Sequence, residues 1–457
     1  MIKIKNKLSD SDSDNIPNSK QKLYKTYTYG CQMNENDTER LAGQLRSLGL
    51  EETDQNEEAD VIIINTCCVR ESAEKKIYGK IGELKRLKAA NPNLLIVIAG
   101  CMAQKDKDNL FKKAPHIDLI IGTHNVHQLT ELLKQTEKSG EKVLAVWEQA
   151  ERLAPNVPTI RKNRIAAWVP IMYGCNNFCT YCIVPYVRGR ERSRPIEDIV
   201  KEITELGKQG FKEITLLGQN VNSYGKDTAG HPDFAELLEK VDTIDNIERI
   251  RYMTSHPRDM NEKVITVVKN SNRICEHFHL PIQSGSNSIL QQMNRGYNSE
   301  YYRNLIKTMR SAVPNASLTT DIIVGFPGET EELFEETLQL IKDIEFDAAY
   351  TFLYSQRSGT PAATMPEQIT LAVKKERLKR LTEVQNDISL AINKRLVGLT
   401  VEVLVEGESK NNPDTWMGRT RTNKIVLWNK TGQETIGQLV RVKVDAAQTW
   451  LLKGQLV

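Results

Sequence analysis

For most of its length the chain alternates between short apolar runs and longer polar stretches of helical period. Five runs come first: Tyr24–Tyr29, Ala59–Thr66, Leu94–Gly100, Leu119–Gly122 and Val143–Val146. A strand covered on both faces reads as an unbroken apolar run, and helices between such strands make the sheet parallel. A doubly wound α/β unit over 23–147 is therefore predicted. Ahead of it, a Ser/Asp/Asn/Lys-rich stretch over 1–22 is expected to be a disordered tail. Residues 147–165 are polar, carry Pro155 and Pro158, and read as a linker. The alternation then resumes, with runs ending near Tyr173, Gly218, Ser255, Ile282, Gly325 and Tyr354. Six such units predict a partial (β/α)6 barrel over 148–394, linker included, although an eight-stranded barrel also fits the pattern. Beyond a long charged helix around Leu371–Arg395 the period changes to two. That change predicts a small all-β module over 395–457, a five-stranded barrel.

Length and composition agree with this division. The 457 residues, 39% hydrophobic and 26% charged, suit about three globular domains. A formal net charge of +3 points to no partner by itself. No run approaches the roughly 18 apolar residues of a membrane-spanning helix, and the first residues lack the apolar core of a secretory signal. A cytoplasmic protein without membrane association is expected. Its eight cysteines would then be reduced rather than disulfide-bonded, leaving metal binding, catalysis or packing.

Three of them form Cys175-Asn-Asn-Phe-Cys179-Thr-Tyr-Cys182, just after a predicted barrel strand and so on the face where barrel active sites are built. Three thiolates can hold three irons of a cubane and leave the fourth open. A zinc site would want a fourth Cys or His, which the nearest flanking residues do not supply. With Tyr181 before the last cysteine, the run resembles the radical S-adenosylmethionine superfamily. That resemblance implies a 4Fe–4S cluster whose open iron takes the amino and carboxylate groups of the cofactor. Cys31, Cys67 and Cys101 share no short motif, yet each follows one of the first, second and third predicted strands. Loops at the carboxyl ends of parallel strands converge on one edge, and Gly30 and Gly100 allow sharp turns there. A second three-cysteine cluster is expected, the alternative being three cysteines packed in the core. Cys68 and Cys275 read as packed cysteines, the side chain of Cys68 pointing away from that of Cys67.

On these residues the chain resembles the methylthiotransferases, radical enzymes with an N-terminal cluster domain, a radical barrel and a C-terminal TRAM domain. Tyr29-Gly-Cys-Gln-Met-Asn-Glu35, Asn65-Thr-Cys-Cys-Val-Arg-Glu71 and Gly100-Cys-Met-Ala-Gln104 are similar to the tRNA (dimethylallyl)adenosine branch. The run from Cys182 to Pro195 fits as well, whereas Cys68 departs from the pattern. The resemblance implies two 4Fe–4S clusters, S-adenosylmethionine, and transfer of a methylthio group to carbon 2 of an adenosine beside the anticodon. It implies cofactor contacts from Tyr181, Gln219, Asn220, Ser255, Gln283, Ile323 and Gly325. Further partners would be a tRNA anticodon stem-loop, an electron-donating reductase or flavodoxin, and a sulfur-delivery or cluster-assembly protein. Modification of a ribosomal-protein aspartate or of threonylcarbamoyl-adenosine, and a non-catalytic RNA-binding or iron-sensing role, are the alternatives. Between 161 and 195 seven basic residues face one acid, Glu191, a local net of +6. Such a patch suits phosphate, so Arg188, Arg190 and Arg194 are expected to contact RNA. Trp416, Arg419, Arg421 and Lys424 of the C-terminal module are expected to do the same.

Overall fold

The computed structural model describes residues 21–68, 71–148, 157–432 and 434–457, without the side chains of 71–73. The expected tail, up to residue 20, and the linker positions 149–156 lie outside them.

Strands β1 (Leu23–Thr28), β2 (Glu51–Glu52), β3 (Val61–Thr66), β4 (Leu95–Gly100), β5 (Leu119–Ile121) and β6 (Val143–Ala145) form one sheet. All its pairings are parallel, in the order β2-β1-β3-β4-β5-β6. The two-residue edge strand β2 carries no apolar run, which is why periodicity missed it. Between the strands run α1 (Gln32–Ser47), α2 (Glu71–Ala90), α3 (Cys101–Asp106), α4 (Asn109–Lys113) and α5 (Leu129–Ser139). Alternate residues of the central strands serve opposite cores. Ile62, Ile64, Ile96 and Ile98 pack with Ile77, Ile81 and Leu84 of α2, while Val61, Ile63 and Val97 pack with Leu41 and Leu45 of α1. This is the predicted doubly wound unit. The order reverses between β1 and β3, the point at which such sheets bind ligands. Register then levels the strand ends: Thr28 lies opposite Asn65, Asn65 opposite Ala99, and Thr66 opposite Gly100.

The second unit holds the six predicted parallel strands: β7 (Ala166–Pro170), β10 (Glu213–Leu217), β11 (Arg249–Tyr252), β12 (His277–His279), β13 (Ser317–Val324) and β14 (Ala348–Leu353). A short antiparallel pair, β8 (Met172–Tyr173) and β9 (Arg192–Ser193), brackets the cysteine loop. Strands β7, β10 and β11 form one array and β12, β13 and β14 another, with a parallel bridge from Ile250 to Ile274 between them. The helices around them start at side-chain caps such as Asp233, Asn261, Asn298, Thr330 and Thr370, each accepting a backbone N–H of the first turn. Helix α6 (Val184–Arg188) follows the cysteine loop directly.

The third unit is the predicted five-stranded barrel, closed in the order β15 (Thr400–Ser409), β16 (Asn412–Thr420), β17 (Ile425–Asn429), β19 (Leu451–Leu456), β18 (Leu439–Ala447). Val403, Val405, Val426, Trp428, Val442 and Leu452 fill it. It docks on the amino-terminal ends of the parallel strands, opposite the cysteine loop. Arg249, wholly buried at the start of β11, donates to the Arg419 carbonyl at 2.6 Å and to Glu402 at 3.0 Å. Arg251 donates to the Arg421 and Thr420 carbonyls and pairs with Glu213 at 2.8 Å. Arg421 reaches back to Glu276 at 2.7 Å, and Lys424 to Asp347 at 2.6 Å. Removing one member of a buried pair strands its partner's charge. Arg251→Ala should therefore lower stability by about 3–5 kcal/mol in chemical denaturation, and truncation before residue 395 should destabilise the barrel itself.

Candidate metal and cofactor site

Level strand ends bring the three N-terminal cysteine loops together. Cys31 is the extended residue that starts α1, with φ −101° and ψ 176°, Cys67 follows β3 and Cys101 begins α3. The turns are close enough to exclude side chains at two places. A Cβ on Gly30, whose φ is +142°, would lie 2.9 Å from both Asn34 and the Cys67 Cβ; one on Gly100, φ +92°, would meet Asn65 and the Thr66 carbonyl. Asn34 ties the loops. Its amide donates to the Thr66 carbonyl at 2.9 Å, its oxygen lies 3.4 Å from the Cys31 thiol, and its carbonyl accepts from Asn65 at 2.8 Å.

Cys68 does not point away from the site. It is buried among Ile62, Ile64, Ile77 and Met102, and its thiol hydrogen-bonds with that of Cys101. That contact, opposed by burial and reinforced by Arg188, brings Cys101 down to about 6, whereas Cys68 is raised, by the same contact and by burial. Thiolate is the metal-binding form, and the charge of Arg188 beside Cys101 favours it there. Cys67 lies on the Cys31 side, against Gly30.

In the barrel, Cys175, Cys179 and Cys182 are close enough to influence one another, and burial pushes Cys175 up to about 11 and Cys182 up to about 12. Arg295, a lone arginine in a polar loop that sequence reading passed over, is buried beside them. It donates to the Cys179 sulfur at 3.3 Å, to the Tyr181 hydroxyl at 3.4 Å and to the Pro281 carbonyl at 2.7 Å. Among the described residues no three His, Cys, Asp or Glu side chains already stand as a metal-binding group. The donor sets nevertheless suit iron–sulfur clusters: three free cysteines end the neighbouring strands β1, β3 and β4 near the buried Arg188, and three more lie in one loop beside the buried Arg295.

The expected cofactor residues divide. Tyr181 and Ile323 share one apolar cluster against the loop. Ser255 and Gln283 are buried at neighbouring strand ends, Gln283 at φ +74°. Gln219 is half-buried at the end of β10. Asn220, in contrast, is locked internally, donating to Asp259 at 2.7 Å and accepting from the His256 N–H. Gly325 is also structural: its N–H donates to Glu329, and a Cβ there would strike Lys374 of the helix Leu371–Lys394. His256, which sequence reading missed, is a better candidate. Its Nδ1 accepts from Arg258, burial pushes it down to about 2, and its buried Nε2 has no hydrogen-bond partner among the described residues.

The expected RNA residues need larger corrections. Arg188 is buried against Asp37 at 2.9 Å, and Arg194 pairs with Glu202 at 2.8 Å and donates to the Pro170 carbonyl. Arg421 and Lys424 are spent on the docking interface, and Arg419 pairs with Glu406 at 3.2 Å. Arg190 alone of the five expected arginines is exposed, lying 4.3 Å over the Phe178 ring, which in turn meets the half-exposed Tyr186 edge-on.

Three family models match the chain: Uncharacterized protein family UPF0004 over 23–122, Radical SAM superfamily over 169–341 and TRAM domain over 394–457. The tRNA-2-methylthio-N(6)-dimethylallyladenosine synthase of Desulforamulus reducens is 52% identical over 98% of this chain and 99% of its own length. Enzymes of the same name from Moorella thermoacetica and Clostridium botulinum are 53% and 54% identical, over 96% and 94% of this chain and 99% and 95% of theirs. Among solved structures, the radical S-adenosylmethionine methyltransferase TsrM from Kitasatospora setae aligns with a TM-score of 0.55 at 12% identity. The alignment covers 87% of this chain and 80% of that one, a likeness of fold.

The neighbouring cysteines should separate on substitution. Cys67→Ala is expected to remove about half of the bound iron, whereas Cys68→Ala should keep most of it; iron analysis after anaerobic reconstitution measures both, and the reverse ranking would make Cys68 the ligand.

Proposed function

The chain belongs to the tRNA-2-methylthio-N(6)-dimethylallyladenosine synthase family, and from that membership we propose that it places a methylthio group on carbon 2 of dimethylallyl-modified adenosine in tRNA. It is a radical S-adenosylmethionine enzyme. One structural observation supports the reading above the rest. Helix α6 runs from the barrel's cysteine loop into the N-terminal cysteine site, with Cys182 before it and Arg188 at its end. Five residues lie between the two, which sets them about 9 Å apart along a helix. Two three-thiol sites joined by this short helix suit a reaction that must both open a C–H bond and deliver sulfur.

Carbon 2 of adenine has no acidic proton and no leaving group, so general acid–base catalysis cannot open it. When bound, the cluster and S-adenosylmethionine supply one-electron chemistry that can. Cys175, Cys179 and Cys182 hold that cluster, with Arg295 fixing Cys179 and Tyr181. Cys31, Cys67 and Cys101 would hold a second 4Fe–4S cluster. His256, neutral with a free Nε2–H, donates to an acceptor atom of the cofactor, while Ser255, Gln283 and Ile323 line its site and Gln219 stands at the mouth. Tyr186 and Arg190, at the rim of the cysteine loop, meet the RNA by stacking and charge. The target base must leave its stack to enter. An electron donor of the reductase or flavodoxin kind, a sulfur-delivery or cluster-assembly partner, and a cytoplasmic setting complete the reading.

Reconstituted protein should carry about eight irons, and replacing Cys175, Cys179 and Cys182 together with alanine should leave about four. Loss of all iron, or of none, would contradict the assignment of two sites.

An apolar substituent on the flipped base fills an apolar pocket at about 0.8 kcal/mol per methylene, so a five-carbon group favours the modified base by about 3 kcal/mol, roughly a hundredfold. Anticodon stem-loops made with and without the dimethylallyl group, assayed under one reductant, should differ accordingly. Equal product on both would remove the ordering argument, and product only on a ribosomal peptide would overturn the substrate class.

A further inference from the structure

Arg188 lies in the radical barrel's sequence but in the N-terminal domain's interior, only 5% exposed. Its Nη2 is 2.9 Å from Asp37 Oδ2 and 3.5 Å from Asn34 Oδ1. The same Asn34 oxygen lies 3.4 Å from the Cys31 thiol. Val187, the residue before it, packs in the apolar cluster that contains Cys68, Cys101 and Met102, and the Val187 carbonyl accepts from the Thr123 hydroxyl. Arg188 thus sits where the Cys31 and Cys101 loops meet. Its charge interacts with both thiols as well as with Asp37.

Stability does not account for this placement. A buried ion pair contributes little net stability, because desolvating both charges offsets their attraction. Electrostatics at the thiols does account for it. Three thiolates around an iron–sulfur cluster make a negatively charged group, more negative when reduced, and such a group calls for a fixed positive charge nearby. Asp37, bonded to the same Nη2 that faces Asn34, takes part of that charge and fixes its direction.

We propose that Arg188 is a positioning residue of the Cys31, Cys67 and Cys101 site, supplied by the radical domain to hold the Cys31 loop through Asn34 and to set the reduction potential of the cluster there. The proposal rests on the two-cluster reading above. It makes the N-terminal site complete only when α6 is docked, so the two sites assemble as one unit.

The test uses the full chain carrying Cys175→Ala, Cys179→Ala and Cys182→Ala, in which the N-terminal cluster alone remains, titrated with a reductant and followed by electron paramagnetic resonance. Adding Arg188→Met should lower the midpoint by about tenfold in the reduced-to-oxidised ratio, about 59 mV for a one-electron couple. Arg188→Lys should restore most of it, and Asp37→Asn, which frees the guanidinium's charge, should move the midpoint upward. An unchanged midpoint in both Arg188→Met and Asp37→Asn, or shifts of the same sign, would overturn the role of Arg188. Should Arg188→Met not hold iron, the sign of the Asp37→Asn shift decides alone. A parent chain without iron would instead overturn the two-cluster reading.

Discussion

Helix α6 is short, five residues, and would not persist alone in water. It is held by burial: Ile183 and Val187 enter the apolar layer that also contains Ile62, Ile64, Cys68, Cys101 and Met102. Burying side chains of this size is worth about 1.5–3 kcal/mol each. Because Cys182 comes just before the helix and Arg188 ends it, that seating decides three things together. It positions the barrel's cysteine loop, it closes one wall of the N-terminal cysteine site, and it fixes the two sites relative to each other. A shift of α6 by one residue would move Arg188 off Asp37 and withdraw its charge from the thiols.

Buried arginines perform the remaining joining. Arg161 pairs with Glu39 of α1 at 3.1 Å and with Glu202 at 2.6 Å, tying the segment after 157 to both neighbouring units. Arg249, Arg251 and Arg421 join the C-terminal barrel to the parallel strands. Arg295 serves the barrel cysteines, and Arg188 the N-terminal ones. Guanidinium suits these posts because it stays charged and offers five donors in a plane, satisfying carbonyls and a carboxylate at once. The +6 segment is therefore mostly internal wiring. The charge it leaves exposed is smaller than its sequence suggests: Lys162, Arg164 and Arg190, the last over Phe178 and beside Tyr186.

Apolar periodicity made the fold readable from the chain alone. Strands covered on both faces must be continuous apolar runs, so the ends of β3 and β4, and with them Cys67 and Cys101, could be located without any pairing information, while β1, half-buried, is legible from its β-rich LYKTYT stretch. The spacing of Cys175, Cys179 and Cys182 is local too, and the period-two texture after the last helix marked the closed barrel. What tertiary structure decided was the partner of each polar side chain. Arg188 meets Asp37, 151 residues away, and Arg251 meets the Arg421 carbonyl, 170 away. A run of basic residues looks the same in sequence whether its charges face solvent or carboxylates, because pairing depends on which surfaces dock. The same holds for Cys68, whose thiol turns toward Cys101 because adjacent parallel strands end level, and for His256, whose orphaned Nε2–H exists only once β11 and its neighbours enclose it. Burial pattern is a property of a segment, and polar partnership is a property of the packed whole.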